Sequence, residues 1–145
     1  MSKHLYIGVD GGQSSTRAVI ADEWGRVLAF GTGPACDHIT TPNGYERNQA
    51  AIHGALEEAL ANANAIPSEI VAIGMGLTSA PRELNAQPIF EQILREISQP
   101  EHIWIDHDAA TNLAGASAGA PGVMVIAGSG SIAYGINKNG EEGRA

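Results

Sequence analysis

Short stretches of alternating apolar and polar residues open the chain, and turns rich in glycine or charge separate them. The alternation predicts β-strands over residues 4–9, 16–22 and 27–30. Because the connections between them are only a few residues long, the simplest arrangement is an antiparallel meander. A polar segment with two prolines, residues 31–44, follows as a predicted loop.

The middle of the chain alternates between helical and strand patterns. Apolar residues spaced three and four apart predict a helix over residues 45–64, which Pro67 ends. The same spacing predicts a second helix from Pro88 to Ile97, with the proline at its start. The apolar runs 70–76 and 102–106 are predicted strands, and the first is typical of a buried parallel strand.

Small residues dominate the next part of the chain. Residues 109–118 predict a short helix, and the segment Gly115–Gly122 has the composition of a hinge. Residues 123–127 and 131–137 are predicted strands, and the Asn139–Gly140 dipeptide is a strong hairpin signal.

This order of elements favours an α/β domain with a ribonuclease-H-like layout. The expected sheet is mixed, a three-strand antiparallel meander plus parallel strands, with helices on its faces. We assign residues 1–118 to this domain, and residues 119–145 to a hinge and the first hairpin of a second, truncated domain of the same kind. An isolated hairpin is marginally stable, so we expect either a homodimer or a missing C-terminal half to cover the hairpin of residues 123–137.

Composition narrows the range of partners. The 145 residues include 8 Lys and Arg against 16 Asp and Glu, a formal net charge of −8. A nucleic-acid backbone calls for clustered basic side chains, so nucleic acid is not an expected partner. No apolar stretch approaches the roughly 18 residues of a membrane span, and the N-terminus lacks a signal-peptide pattern. With one cysteine, Cys36, and no internal disulfide, the chain is predicted to be soluble and cytoplasmic.

Two glycine-rich turns each follow an apolar strand, namely Asp10–Thr16 and Gly128–Ser131. Backbone amides in such a turn form a cradle for an anion, and neighbouring hydroxyls add donors. Two cradles suggest two loops that grip one polyphosphate. Asp108, which lies between them in sequence, adds an acid, and the set points to phosphoryl transfer.

Each feature also has a structural explanation. Either glycine turn alone is a common strand connection. Asp10 is placed either to hold Mg²⁺ or to organise the turn after it. Asp108 is placed to act as a general base, to cap a helix that begins at Ala109, or to do both. Asp106, His107 and Asp108 offer a possible metal ligand set, but no second cluster in the sequence completes it.

The second glycine turn also matches the dinucleotide fingerprint over residues 128–133. That fingerprint requires a helix to begin at the turn and an acid about 20 residues later. Here a strand pattern follows, and the chain ends before such an acid. Neither turn carries the Gly-Lys-Ser/Thr of a P-loop, so we set both motifs aside.

The chain carries, in this order, the segments Gly8–Gly12, Asp108–Ala110 and Ile126–Gly135. Together they resemble the N-acetylglucosamine kinase branch of the BadF/BadG/BcrA/BcrD ATPase family, within the actin, sugar-kinase and heat-shock-chaperone superfamily. The resemblance extends along the whole chain. It implies an ATP-dependent kinase that phosphorylates the 6-hydroxyl of N-acetylglucosamine or a related amino sugar.

The resemblance also implies roles for individual residues. Asp108 would be the catalytic residue and would contact the sugar, while Asp10 would assist Mg²⁺. The implied ATP-binding positions are Asp10, Gly11, Gly12, Gln13, Ser14, Gly128, Ser129, Gly130 and Ser131. The further implied sugar contacts are Asp37, His38 and Thr78.

The chain departs from the family pattern at several positions. Gln13 replaces a third glycine, Ser15 replaces a common lysine, and Asp37 stands where these kinases often carry Asn, which leaves the sugar open. Family members have two domains with the site between them, so we expect an N-terminal half that is inactive alone. Two alternatives stay open: an activator ATPase for a 2-hydroxyacyl-CoA dehydratase, and a non-catalytic sugar- or nucleotide-sensing domain.

Overall fold

The computed structural model describes residues 3–36, 38–78, 86–127 and 131–145. Within them the chain forms a five-stranded sheet in the order β3-β2-β1-β4-β5 and a three-stranded sheet in the order β6-β7-β8. The strands and α-helices are, in chain order, β1 (Leu5–Gly11), β2 (Thr16–Asp22), β3 (Val27–Gly33), α1 (Gly44–Ala63), β4 (Ile70–Leu77), α2 (Gln87–Arg95), β5 (His102–Asp106), α3 (Asp108–Ser117), β6 (Gly122–Ala127), β7 (Ser131–Ile136) and β8 (Glu142–Arg144).

The five-stranded sheet is mixed. β2 pairs antiparallel with both β1 and β3, which forms the predicted meander. β4 runs parallel to β1, and β5 runs parallel to β4, with α2 in the connection between β4 and β5. The predicted α/β fold with a ribonuclease-H-like mixed sheet is therefore confirmed.

Helix α1 covers one face of this sheet and closes the main core. Its buried residues are Gly44, Asn48, Ala51, Ile52, Ala55, Leu56, Ala59 and Leu60. The helix lies so close to β3 that a Cβ at Gly31 would overlap the backbone of Ala55, and a Cβ at Gly33 would overlap that of Ala51. Small residues on both elements thus permit the contact. Among the helices of the described residues, none combines the length and the apolar character that crossing a bilayer requires.

The opposite face of the sheet has a shallow apolar trough, which we call the trough face. One row of paired residues crosses all five strands in the order Phe30, Val19, Gly8, Gly74 and Trp104. The two aromatic residues form the walls and the two glycines the floor of a groove of about 440 Å³. Phe30 and Trp104 are 64% and 45% exposed, so this face is largely open to solvent.

Helix α3 joins the two sheets. Thr111 packs against Gly76 of β4, at the carboxyl end of the trough face, where a Cβ would overlap the threonine side chain. On its other side α3 packs against β6 and β7. The buried residues of this second core are Ala109, Ala110, Leu113 and Tyr134.

Two predicted boundaries shift. β3 continues to Gly33 because its ladder with β2 runs on to Thr16, so the loop is shorter than predicted. α1 ends at Ala63 because Asn64 adopts a left-handed backbone with φ of 48°. Pro67 lies beyond this cap and opens a short 3₁₀ turn.

The second sheet differs more from the prediction. The sequence predicted two strands, but β8 pairs with β7 beyond the Asn139–Gly140 turn, and α3 covers one face. Edge strand β6 exposes apolar side chains, since Val123 and Val125 are 78% and 68% exposed. The predicted hinge begins too early, because residues 115–117 are still helical. The division into domains 1–118 and 119–145 stays a prediction.

Candidate functional site

The carboxyl ends of β1, β4 and β5 meet at one edge of the five-stranded sheet, and three predicted site residues lie there. Asp10 is the penultimate residue of β1, Thr78 follows β4, and Asp108 begins α3 just after β5. Thr78 Oγ1 lies 3.2 Å from Asp108 Oδ2. The charge of Asp108 also acts on Asp10. The fold therefore brings together side chains that are up to 98 positions apart in sequence, from Asp10 to Asp108.

Backbone hydrogen bonds fix the first glycine turn. Gly12 N donates to Ser15 O over 3.1 Å, and Gly12 O accepts from Cys36 N over 3.0 Å. Gly11 O accepts from Thr78 N over 3.1 Å, which ties the turn to the end of β4. The turn is therefore anchored to the loop after β3 on one side and to β4 on the other.

The two glycines of this turn are there for different reasons. A Cβ at Gly11 would collide with Leu77 and would lie 2.9 Å from Cys36 Sγ, so packing alone requires glycine. A Cβ at Gly12 would meet only Ser15 O, at 3.4 Å, an ordinary contact. Among the described residues the fold leaves room for a side chain at Gly12, so packing does not account for this glycine.

Amide donors at this turn are available at the residues after the glycines. The N–H of Gly12 is already engaged by Ser15 O. Gln13 and Ser14 are exposed, and their amides donate to no residue in the described part of the chain. An anion at this turn would thus meet Gln13 and Ser14 first, with the Ser14 hydroxyl as a further donor.

Two acids and one base determine the electrostatics of this edge. Desolvation, followed by the negative charge of Asp108, raises the pKa of Asp10 above its ordinary value. Arg17, the cross-strand partner of Asp10 on β2, partly opposes this effect. A cation beside Asp10 would relieve the repulsion between the two carboxylates, so the donor set fits Mg²⁺. The described residues contain no cluster of three or more His, Cys, Asp and Glu, so most ligands of such an ion would be water or phosphate.

His107, rather than Asp108, caps helix α3, so the predicted capping role of Asp108 is wrong. His107 Nδ1 accepts a hydrogen bond from Ala110 N over 3.1 Å, which requires that nitrogen to be unprotonated. Asp108 occupies the first turn of α3, where its Oδ1 accepts from Ala109 N over 2.8 Å. A carboxylate is favourable at this positive end of the helix dipole.

Strands β6 and β7 run along α3 toward the end of the helix that carries Asp108. Gly122, at the start of β6, is near Leu113, while the Tyr134 ring meets the His107 ring edge-on with centroids 4.5 Å apart. β6 therefore runs back along α3 toward its first turn. The ladder of β6 and β7 continues past Tyr134 to the pair Ala127–Ser131, roughly 10 Å further on at the usual rise per residue.

Part of the predicted site lies outside the described residues. This applies to Gly128, Ser129 and Gly130 of the second turn and to Asp37 of the predicted sugar loop. Ser131, the last predicted position of the second turn, is the exposed first residue of β7. The roles of these residues stay predictions.

The predicted sugar loop, which follows β3 and contains Cys36 and His38, is anchored to the first glycine turn through Cys36. Cys36 is buried, its Sγ lies 3.1 Å from Thr16 Oγ1, and burial raises the pKa of its thiol. His38 lies near the start of α1, where its carbonyl accepts from Thr41 N over 3.1 Å and from Thr41 Oγ1 over 2.7 Å. The loop therefore leaves the first turn at Cys36 and reaches α1 after His38.

Two site interactions were missed in the sequence. The effect of Arg17 on Asp10 follows from their pairing in the first hairpin, so a register for the predicted meander would have revealed it. The hydrogen bond between Thr78 and Asp108 joins residues 30 positions apart. No local pattern signals that contact.

Two curated relatives align with almost the whole chain. The chain is 27% identical over 153 residues to the N-acetyl-D-glucosamine kinase of Dictyostelium discoideum, covering 100% of this chain and 47% of the relative. It is 31% identical over 140 residues to the N-acetylmuramic acid/N-acetylglucosamine kinase of Clostridium acetobutylicum, covering 96% of this chain and 44% of the relative. The chain thus spans about half the length of the curated relatives it matches.

The fold and the family agree with these matches. A solved structure from Chromobacterium violaceum, named as a candidate N-acetylglucosamine kinase, superposes with a TM-score of 0.78 at 28% identity, covering 100% of this chain and 49% of the other. Residues 7–145 match the BadF/BadG/BcrA/BcrD ATPase family, which confirms the resemblance carried by the glycine turns and the Asp108 segment. The chain belongs to the BadF/BadG/BcrA/BcrD ATPase family.

Proposed function

We propose that this chain is the N-terminal half of an ATP-dependent amino-sugar kinase. The enzyme would transfer the γ-phosphoryl group of ATP to the 6-hydroxyl of N-acetylglucosamine or a related sugar. The observation that carries the proposal is the convergence of Asp108, Asp10 and the first glycine turn at one edge of the sheet. The names of the relatives from Dictyostelium discoideum and Clostridium acetobutylicum supply the substrate class.

Asp108 acts as the general base in this proposal. Its Oδ1 accepts from Ala109 N and its Oδ2 from Thr78 Oγ1, and each oxygen keeps a lone pair for a sugar hydroxyl. As the phosphoryl group transfers, the carboxylate takes the hydroxyl proton. Proton transfer of this kind contributes roughly 10²- to 10⁴-fold to a rate.

Asp10 and the glycine turns bind the nucleotide in this proposal. Asp10 would hold Mg²⁺, directly or through water, and a bound ion would supply neutralisation of charge on the phosphate oxygens. The amides of Gln13 and Ser14 donate to phosphate oxygens, and Gly12 lets the phosphate approach the backbone. The second turn, Gly128–Ser131, would supply further contacts to the phosphates. Positioning and electrostatic stabilisation supply most of the catalysis in phosphoryl transfer.

A second half completes the site in this proposal. The relatives are about twice the length of this chain, and the outer face of β6 exposes Val123 and Val125. Residues 119–145 begin the second domain, which carries the adenine pocket and closes on the sugar. A homodimer that covers the hairpin of residues 123–137 is the alternative. We expect the 145-residue chain alone to show little or no kinase turnover, and robust turnover would refute the need for a second half.

The test is ATP-dependent phosphorylation of glucosamine, N-acetylglucosamine and N-acetylmuramic acid by a polypeptide that continues this chain through a second half. Asp108→Asn should lower turnover by about 10²- to 10⁴-fold, while sugar affinity measured by calorimetry stays within a few-fold. Glu57→Gln, on the exposed side of α1, is the matched control and should change neither quantity. Unchanged turnover in Asp108→Asn would remove the base assignment, and no phosphorylation of any of the sugars would refute the kinase.

A further inference from the structure

Thr78 lies between the first glycine turn and the carboxylate of Asp108. Its amide donates to Gly11 O over 3.1 Å, one step beyond the paired residues of β1 and β4. Its hydroxyl oxygen lies 3.2 Å from Asp108 Oδ2 and 3.4 Å from Gly11 O. The backbone of Thr78 is therefore fixed by β1, while its side chain reaches Asp108.

The hydroxyl of Thr78 has one proton and two neighbouring acceptors. An ionised carboxylate is a stronger acceptor than a neutral carbonyl, and Asp108 Oδ2 is also the nearer of the two. The proton therefore goes to Asp108. The hydroxyl is then left only with acceptor capacity toward any third group.

Asp108 needs a donor in this position because Asp10 repels it. The charge of Asp108 helps to raise the pKa of Asp10, so the two negative charges lie close enough to repel each other. Ala109 N holds Oδ1 of Asp108, but that amide belongs to the next residue and moves with α3. Thr78 is the donor from the sheet, and it holds Oδ2 in place relative to β1 and β4.

We propose that Thr78 is a positioning residue for Asp108 rather than a ligand of the sugar. It holds the Asp108 carboxylate oriented toward the position of the sugar hydroxyl. This replaces the sugar contact that the sequence implied for Thr78. The expected effect of Thr78 on kcat rests on the proposed kinase function. The expected effect of Thr78 on the position of the Asp108 carboxylate rests only on the hydrogen bond between them.

The kinetic test compares Thr78→Val with Thr78→Ser in the polypeptide that continues through a second half. Thr78→Val should lower kcat about 10- to 100-fold, the usual effect of losing a hydrogen bond to a charged group, with the sugar KM within about twofold. Thr78→Ser keeps the hydroxyl and should restore kcat to within a few-fold. Thr111→Val is the matched control, because Thr111 Oγ1 donates to the backbone carbonyl of Asp108 and not to its carboxylate. A sugar KM raised tenfold in Thr78→Val with kcat preserved would overturn the proposal.

A second measurement uses the 145-residue chain and needs no kinase activity. The carboxyl carbon signal of Asp108, read by ¹³C NMR at neutral pH, should shift in Thr78→Val and stay in place in Thr78→Ser and Thr111→Val. A signal that does not move in Thr78→Val would overturn the proposal even if the kinase function holds. If the unaltered polypeptide phosphorylates no sugar but the NMR signal shifts as expected, the kinase fails and the positioning of Asp108 by Thr78 stands.

Discussion

The two faces of the five-stranded sheet use glycine differently. On the face covered by α1, Gly31 lies beneath the helix, and the backbone of Ala55 occupies the space that a side chain would take. On the trough face, a Cβ at Gly74 would meet only the Trp104 ring, at 3.9 Å. Glycine in a strand lowers stability, and close approach of another backbone or a ligand is the usual reason for it. The first face shows that reason at Gly31, while on the trough face nothing in the described part of the chain approaches Gly74 so closely.

The acidic site lies on the less complete face. Asp10 lies two residues after Gly8 in β1, so its side chain points to the same trough face. Thr111 of α3 packs on this face at its carboxyl end. Exposed aromatic residues, Phe30 and Trp104, continue the same face away from the acids. The covered face therefore supplies stability, while the trough face combines open apolar surface with the two acids.

Substitution of a glycine on each face gives the largest contrast. Gly31→Ala should destabilise the chain by about 3 kcal/mol, because its Cβ would overlap helix backbone, which cannot move aside as a flexible side chain would. Gly74→Ala should change the free energy of unfolding by no more than about 1 kcal/mol, in the stabilising direction, because the unfolded chain loses freedom and the site has room. Urea unfolding of both variants measures the difference.

Equal destabilisation by the two variants would break the comparison. It would mean that the space above Gly74 is filled, so that the trough face is as covered as the α1 face. Far-ultraviolet circular dichroism of each variant before unfolding confirms that the reference state is folded.

A smaller effect is expected at the edge of the covered face. Helix α1 protects edge strand β3, since Glu58 Oε2 accepts from Thr32 N over 2.5 Å and from Thr32 Oγ1 over 2.8 Å. Asn62 Nδ2 donates to Phe30 O over 2.9 Å. These contacts occupy backbone groups that would otherwise be free to pair with another strand. Glu58→Gln should speed amide exchange at Thr32 and lower the urea midpoint at pH 7.

The effect of Glu58 should depend on pH with a defined sign. The hydrogen bonds from Thr32 N and Oγ1 lower the pKa of Glu58 in the folded chain. A lowered carboxyl pKa stabilises the fold above the unfolded pKa and loses that effect as pH falls through the folded pKa. The midpoint difference between the wild type and Glu58→Gln should therefore be present at neutral pH and vanish in acid. Glu57→Gln, one residue earlier on α1, is the control, and an equal loss there would contradict the specific role of Glu58.

Most of the fold followed from the sequence because each element has a local signature. The alternation in β1 and β2 and the helical spacing in α1 depend only on neighbouring residues. β8 was missed because Glu142, Gly143 and Arg144 carry no apolar alternation, and its partner β7 defines it.

The site was less predictable because its decisive contacts are long-range. Sequence marked both Gly11 and Gly12 as ligand positions, but Leu77 and Cys36, both distant in sequence, explain the first. Asp108 is a better helix cap by residue type than His107, and only the backbone geometry assigns the cap to His107. Residue type identified the acids, but their partners required the fold.

The smallest expected effect concerns the pKa of Asp10, at the carboxyl end of β1 on the trough face. Desolvation is the largest cause of its raised pKa, the charge of Asp108 is the second, and Arg17 opposes both. Asp108→Asn should therefore lower the pKa of Asp10 without returning it to its ordinary value, and Arg17→Gln should raise it further. Because a raised carboxyl pKa disfavours the folded, ionised state, Asp10→Asn should stabilise the chain above that pKa, and the gain should disappear as pH falls below the ordinary carboxyl range. Carboxyl ¹³C NMR titration of each variant measures these shifts. If the pKa of Asp10 shifts in opposite directions in Asp108→Asn and Arg17→Gln, the trough face holds two repelling carboxylates together at a cost in stability. If the pKa of Asp10 is unchanged in both variants, burial is the sole cause of its raised value, and the electrostatic distinction between the two faces is lost.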